Sequence, residues 1–263
     1  MENTKLKESG YTDRHIHLFM EGQPLTASEI DRFTKILLEF NIKEIYDMGS
    51  RDGLGFKIRR YLEHTPITLR TCGYALYREG GYGSFLGRPV KDRDDIKRHI
   101  DELYRRDADF IKVINSGIIS TEGRVTEGGF SEEELRIIVE EAHEKGLKVF
   151  CHVSSAERII EAINAGVDSV EHGFFMTEEA LHMMKERDVT WTPTIYALVC
   201  FANTLDGRKR EILEGIVRNH IKMVSLSKQL GVRINIGSDS GASGIRHGVA
   251  FFEEKKILFH LFK

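Results

Sequence analysis

Cysteine is scarce in this chain, and so is any imbalance of charge. Three cysteines, Cys72, Cys151 and Cys200, are spread over 263 residues. An odd, widely spaced set supplies no disulfide framework and no paired-cysteine zinc motif, and it suits a reducing compartment. Lysine and arginine number 38 against 41 aspartate and glutamate, for a net charge of −3. With the two signs interspersed, that balance points to neither nucleic acid nor an anionic membrane surface. No apolar run nears the roughly 20 residues that span a bilayer. Residues 1–10 are polar and charged, without the apolar stretch of a secretory signal. Low-complexity segments and short-period repeats are also missing. These absences leave a cytoplasmic protein acting on a small molecule as the expectation, with assembly into a homo-oligomer left open.

What is present is a regular alternation. With 41% hydrophobic residues the chain can bury one sizeable core, and its length is close to the roughly 250 residues of a (β/α)₈ barrel. Short β-branched or apolar runs suggest strands over 11–19, 44–48, 68–77, 110–115, 148–153, 169–171, 190–195 and 233–238. Helical periodicity occupies 27–40, 55–63, 92–106, 131–145, 156–165, 178–187 and 208–230, and a last helix begins near His247. Ser131 with Glu134 reads as a capping box, and Gly146, Gly166 and Gly231 sit just past helix ends. Strand–helix alternation of this kind predicts an α/β fold, a (β/α)₈ barrel in one domain over residues 1–263. Glycine-rich loops over 78–89 and 116–129 follow strands three and four, at the end where such a barrel builds its site. They could cradle a ligand or act as a mobile lid.

The polar residues track the strand ends. His15 and His17 lie two apart in strand one, so both rings face one side. A metal would satisfy two such rings inside a packed barrel. His152 ends strand five, His172 strand six and Asp239 strand eight. His64, His99, His143, His182, His220 and His260 sit in helical or loop patterns, mostly with charged neighbours, and read as solvated surface residues. Lys112 stands in the apolar strand Asp-Phe-Ile-Lys-Val-Ile. Either its stem snorkels to solvent, or burial keeps the amine neutral and able to add carbon dioxide as a carbamate that two cations would stabilise. Cys151 points outward to the helices, and Phe150 shares the inward face of His152 as core.

Asp-Arg-His-Ile-His-Leu at 13–18, Asp-Phe-Ile-Lys-Val at 109–113 and Ala-Gly-Val-Asp-Ser-Val-Glu-His-Gly at 165–173 resemble the amidohydrolase superfamily. The likeness is strongest to its imidazolonepropionase-like and prolidase-like members. Thr192-Pro193-Thr194 and Gly237-Ser238-Asp239-Ser240-Gly241 continue the resemblance, which spans about residues 11–255. It implies a TIM-type barrel with two divalent metals, zinc above all, with manganese, cobalt or iron tolerated. His15 and His17 with Asp239 would bind the more buried metal and His152 with His172 the second. The Lys112 carbamate would bridge them. A metal-bridging hydroxide would attack a carbonyl, and Asp239 would be catalytic, passing its proton to the leaving amine. The implied reaction is hydrolysis of an amide C–N bond in a dipeptide, N-acyl amino acid or cyclic amide. Phosphoester or lactone hydrolysis of the phosphotriesterase-like or TatD-like type is the alternative, as is a truncated barrel that binds metal without turnover.

Two departures from the superfamily pattern stand out. The flanking β-sandwich has no room in this sequence, and the segment 253–263 implies a shortened final helix. For substrate contacts, Arg88 is expected with Arg78 and Arg246 as a carboxylate clamp, each with the alternative of an ordinary surface arginine. Tyr196 could donate to a developing oxyanion or pack under the rim, and His247 could touch substrate or support the site.

Overall fold

Runs rich in Val, Ile and Thr, which suit a pleated surface, recur between amphipathic helical stretches. The computed structural model describes residues 10–20, 22–242 and 244–263. In chain order, β1 (Tyr11–Ile16) leads into an antiparallel hairpin of β2 (Phe19–Met20) and β3 (Gln23–Pro24). Helix α1 (Ile30–Glu39) returns the chain to β4 (Ile42–Asp47), and α2 (Leu54–Leu62) returns it to β5 (Thr68–Thr71). Next come β6 (Ala75–Arg78), β7 (Gly87–Val90), α3 (Arg93–Arg105) and β8 (Ile111–Ile114). Then α4 (Glu132–Glu144), β9 (Val149–Val153), α5 (Ala156–Ala165), β10 (Ser169–His172), α6 (Glu178–Glu186) and β11 (Thr190–Thr192) alternate. Helices α7 (Ile195–Asn203), α8 (Gly207–Leu230) and α9 (Val249–Leu261) complete the described chain.

Apart from the β2–β3 hairpin, these strands pair in parallel, in the orders β1-β4-β5 and β11-β10-β9-β8-β6-β7. Residues 233–240 bond to both groups. On one side Trp191 N donates to Arg233 O (2.9 Å) and Asn235 N to Trp191 O (2.8 Å). On the other, Arg14 N donates to Ile236 O, Asp239 N to His15 O and His17 N to Ser240 O, each at 2.8 Å. The result is a TIM-barrel-like α/β fold in which 233–240 does the work expected of strand eight through isolated bridges rather than a continuous ladder.

Helix signals read from sequence have physical counterparts. The Ser131 hydroxyl accepts from Glu134 N while the Glu134 carboxylate accepts from Ser131 N, satisfying orphan amides at the start of α4. Gly166 and Gly231 cap α5 and α8 in the left-handed conformation.

Strand three differs from expectation. It kinks at Gly73 (φ +72°), and there its partner on one side changes from β4 to β7. The segment 78–89 is therefore not all loop, because Gly87–Val90 forms a strand. Gly87 is required there, since a Cβ would lie 1.9 Å from the Ala75 carbonyl oxygen.

A second difference follows strand seven. Residue 195 belongs to helix α7 rather than to a strand, because the buried Glu254 carboxylate of α9 accepts from Ile195 N (3.0 Å) and Tyr196 N (2.7 Å). That carboxyl caps the helix start, and burial pushes its pKa up to about 8.

Apolar faces of the helices cover the outside of the strands, while aromatic side chains fill the lower interior. Phe110 stacks on Phe150 at 4.5 Å, with Tyr46 alongside, so the inward Phe150 is core as expected. Cys151 lies in the outer core with the helices. Among the described residues, no helix is long and apolar enough to cross a membrane.

Two histidines read as solvated are buried. His99 contacts the Tyr74 hydroxyl and the Pro89 carbonyl, each at 3.3 Å. His220, on the inward face of α8, donates from Nε2 to Pro193 O (2.9 Å) and packs edge-on against Phe174 and Trp191. Burial pushes the His220 pKa from 6.5 down to about 4. The unfolded chain therefore binds more protons between those values, so the stabilisation is complete above pH 6.5 and fades as pH falls towards 4. Denaturant titration of the metal-free protein should show this acid loss, and His220→Gln should flatten it. An unchanged slope in the variant would assign the loss to other groups.

Candidate metal centre

Alternation along β1 sends His15 and, just past its end, His17 into the interior, with ring centres 5.5 Å apart. The 233–240 segment lays Asp239 against both. Asp239 Oδ1 is 3.4 Å from His15 Nε2 and 3.1 Å from His17 Nε2. Ligand atoms of these three residues lie within 4.8 Å of one another, a spacing that could hold a metal ion. Asp239 adopts φ +55°, an uncommon conformation for a residue with a side chain. Burial works to raise its pKa, but the His17 hydrogen bond and nearby positive charge outweigh it and hold the carboxyl below its ordinary value.

His152 and His172 end β9 and β10, and their rings come within 4.6 Å of each other and, for His172, 4.8 Å of His15. The Gly117 carbonyl can only accept, so at 3.2 Å it fixes a proton on His152 Nε2 and leaves Nδ1 as the lone-pair nitrogen. His172 Nδ1 is engaged by the Thr194 hydroxyl at 2.8 Å, which leaves Nε2. Burial and the neighbouring positive groups push His15 and His172 well below the usual imidazole range, and His152 down to about 4. Neutral imidazoles are the ligating form.

Lys112 is 1% exposed, in the middle of β8, and its Nζ has no hydrogen-bond partner. It does not snorkel to solvent. Burial lowers its pKa against the pull of Glu171 and Asp239, so the amine is biased towards its neutral form. An unsatisfied buried amine beside imidazoles and a carboxylate is costly on its own, and a bound cation or a carbamate would satisfy it.

Two acidic residues escaped the sequence reading. Glu171 Oε2 is 2.5 Å from His15 Nδ1, while its other oxygen accepts from Ser169 Oγ (2.6 Å) and Thr192 Oγ1 (3.2 Å). This arrangement orients His15 and leaves its Nε2 facing Asp239. Asp13 accepts from Ser238 N (2.9 Å) and Ser238 Oγ (2.6 Å), fastening β1 to the Asp239 segment, and burial raises its pKa to about 7. Asp13 lies in Tyr-Thr-Asp-Arg-His-Ile and Glu171 in Ser-Val-Glu-His, so neither has the apolar neighbours that singled out Lys112.

A cavity of about 550 Å³ opens above these residues. Its floor includes His17, His152, His172 and Asp239, and its walls carry Phe19, Tyr82, Phe85, Ile118, Ile119 and Phe174. Burial, with the Asp239 charge nearby, pushes the Tyr82 hydroxyl up to about 12, so it stays protonated.

The expected substrate contacts lie elsewhere. Arg88 bonds both Glu102 oxygens at 2.9 Å and covers the Tyr74 ring, because β7 directs it towards α3. Arg78 is held by the Val90 and Lys91 carbonyls and by Glu134. Tyr196 follows the start of α7 and does not line the cavity. The His247 ring bridges Ser240 Oγ and Phe19 O at 2.8 Å each, so it holds the loop, and with Arg246 it faces an adjoining groove.

A parallel TIM-barrel-like scaffold with a histidine–carboxylate cluster at the C-terminal ends of its strands narrows the class. The chain belongs to the Amidohydrolase family, whose model it matches over residues 9–261. Members of that family generally use divalent metals. Ochratoxinase of Aspergillus niger is 32% identical over 156 residues, covering 57% of this chain and 32% of that protein. An uncharacterized protein of Mycobacterium tuberculosis is 26% identical over 191 residues, covering 71% of this chain and 51% of its own length. This chain thus spans about a third of one of these curated relatives and about half of the other. Among solved structures, a Xaa-Pro dipeptidase with bound methionine superposes with a TM-score of 0.79 at 20% identity, over 97% of this chain and 71% of that one. The A. niger ochratoxinase structure does so with 0.77 at 23% identity, over 90% and 64%.

Replacing Glu171 by Gln should weaken metal affinity about 10–100-fold, as loss of such a supporting carboxylate typically does. Competition with a chromophoric chelator measures this, and unchanged affinity would show that His15 needs no such support.

Proposed function

We propose that the chain is a metal-dependent hydrolase of amide C–N bonds in small substrates, built as one (β/α)₈ barrel domain. The observation that carries this reading is the cluster of His15, His17 and Asp239 beside a fully buried Lys112 amine with no partner. Family membership supports it. The donor set of imidazoles, a carboxylate and an amine suits zinc, with two ions per chain. His15, His17 and Asp239 would hold one ion, and His152 and His172 the other. Lys112 would serve both as a carbamate. In forming it, the neutral Nζ adds to carbon dioxide and loses one proton, leaving an anionic carbamate.

When bound, the ions supply Lewis acidity towards a carbonyl oxygen and lower the pKa of a water. The protein's own groups do the rest. Glu171 keeps His15 oriented, and Thr194 does the same for His172. Asp239 is held anionic and partly open to the cavity, so it can take a proton from the attacking water. It then returns that proton to the departing nitrogen. Walls of Phe, Ile and Tyr limit the water around the reacting bond.

Elemental analysis of protein prepared with bicarbonate and without chelators should find about two divalent ions per chain, as in binuclear hydrolases. Lys112→Ala should lose at least one of them, and equal metal content in that variant would refute the bridging role. Asp239→Asn should abolish turnover of amide substrates while much of the metal stays bound. Undiminished activity in that variant would remove Asp239 from proton transfer.

A further inference from the structure

The cavity walls restrict what that proposed chemistry can act on. Among the described residues that line the cavity there is no lysine or arginine. Of the arginines nearest in sequence, Arg78 is held by two backbone carbonyls and Glu134 and Arg88 by Glu102, while Arg246 lines the adjoining groove rather than this cavity. Within this cavity a substrate carboxylate would therefore meet no lysine or arginine among the described residues. Bound metal ions would supply the positive charge on the cavity floor, and in the proposed reaction those face the scissile carbonyl.

The apolar side of the same wall is built from two facing loops. Tyr82, Phe85 and Leu86 come from the segment between β6 and β7, and Ile118 and Ile119 from the loop after β8. Phe85 is 51% exposed and Ile118 46%, so large apolar side chains stand in solvent at the mouth. Tyr82 and Phe85 meet edge to face at 5.6 Å, and Phe174 lies 5.4 Å from the His172 ring. Aromatic faces set this way, next to a polar floor, receive rings and branched chains. Clustered exposed apolar residues at a cleft mouth mark a recognition surface.

We infer that the site takes uncharged amides flanked by aromatic or bulky apolar groups, and selects against substrates with a free carboxylate beside the scissile bond. This inference rests on the amide-hydrolase reading above and goes beyond it by naming the substrate class. It also replaces the expectation of an arginine clamp for a dipeptide or N-acyl amino acid.

The test uses a pair differing in one charge, N-benzoyl-phenylalaninamide and N-benzoyl-phenylalanine, with release of benzoate followed on the metal-loaded chain. A kcat/KM at least tenfold higher for the neutral amide is expected. Phe85→Arg, which adds a cation at an exposed position, should narrow that ratio without changing metal content. Equal rates, or preference for the anionic member, would overturn the inference while leaving amide hydrolysis standing. If neither compound is cleaved, the hydrolase reading is what fails. Calorimetric binding of the same pair to Asp239→Asn protein then decides the inference alone. Tighter binding of the neutral amide upholds it, and equal or weaker binding overturns it.

Discussion

The pairing of residues 233–240 with β1 is the constraint on which the metal centre depends. Two backbone bonds, Asp239 N to His15 O and His17 N to Ser240 O, set a register that brings a carboxylate from one end of the chain to imidazoles from the other. A slip of one residue would turn Asp239 away from the interior. Asp13 guards the same register through Ser238, and Gly237 makes the approach possible. A Cβ on Gly237 would lie 2.3 Å from Thr192 Cγ2 and 2.7 Å from His15 Cβ, inside any real contact. The pairing of this segment with β1 and the assembly of the centre are thus one arrangement.

That arrangement concentrates polar groups in a place where burial is expensive. Below the centre, Phe110, Phe150 and Tyr46 form an ordinary apolar fill. Above it, His15, His152 and His172 are held neutral by burial, and Lys112 has no partner. The folded chain carries this cost because the surrounding strands leave these side chains no alternative direction. An arrangement that is unfavourable when empty and satisfied by cations is preorganised for binding.

Much of this was legible in the sequence, for reasons that also explain the failures. Strand ends announce themselves through turn residues, so the sequence alone places His152, His172 and Asp239. Two-residue alternation paired His15 with His17, and an apolar neighbourhood marked Lys112. Glu171 lacks that mark, since Asp168, Ser169 and His172 surround it in sequence. His99 and His220 read as exposed from sequence because their charged neighbours, which lie on the other face of the helix, mask their burial. The α7 start was invisible, since its cap comes from Glu254, 59 residues away from Ile195. Arginines in rim loops could be located but not aimed. The direction of Arg88 depends on the pairing of β7, which no local pattern reveals.

The tether that β7 provides has a consequence for how this protein can diversify. Because the segment between β6 and β7 is clamped to the sheet at both ends, its middle, carrying Tyr82 and Phe85, works as an interchangeable panel. Phe85, 51% exposed, can be exchanged there without touching a proposed ligand, whereas Tyr82 packs 5.9 Å from the His152 ring. Part of the selectivity is consequently inherited on a stretch of chain separate from the chemistry, although Phe19 and Phe174 lie beside His17 and His172. A lineage descending from this fold could change what it accepts by rewriting a handful of codons, while the atoms that would do the reaction stay where they are.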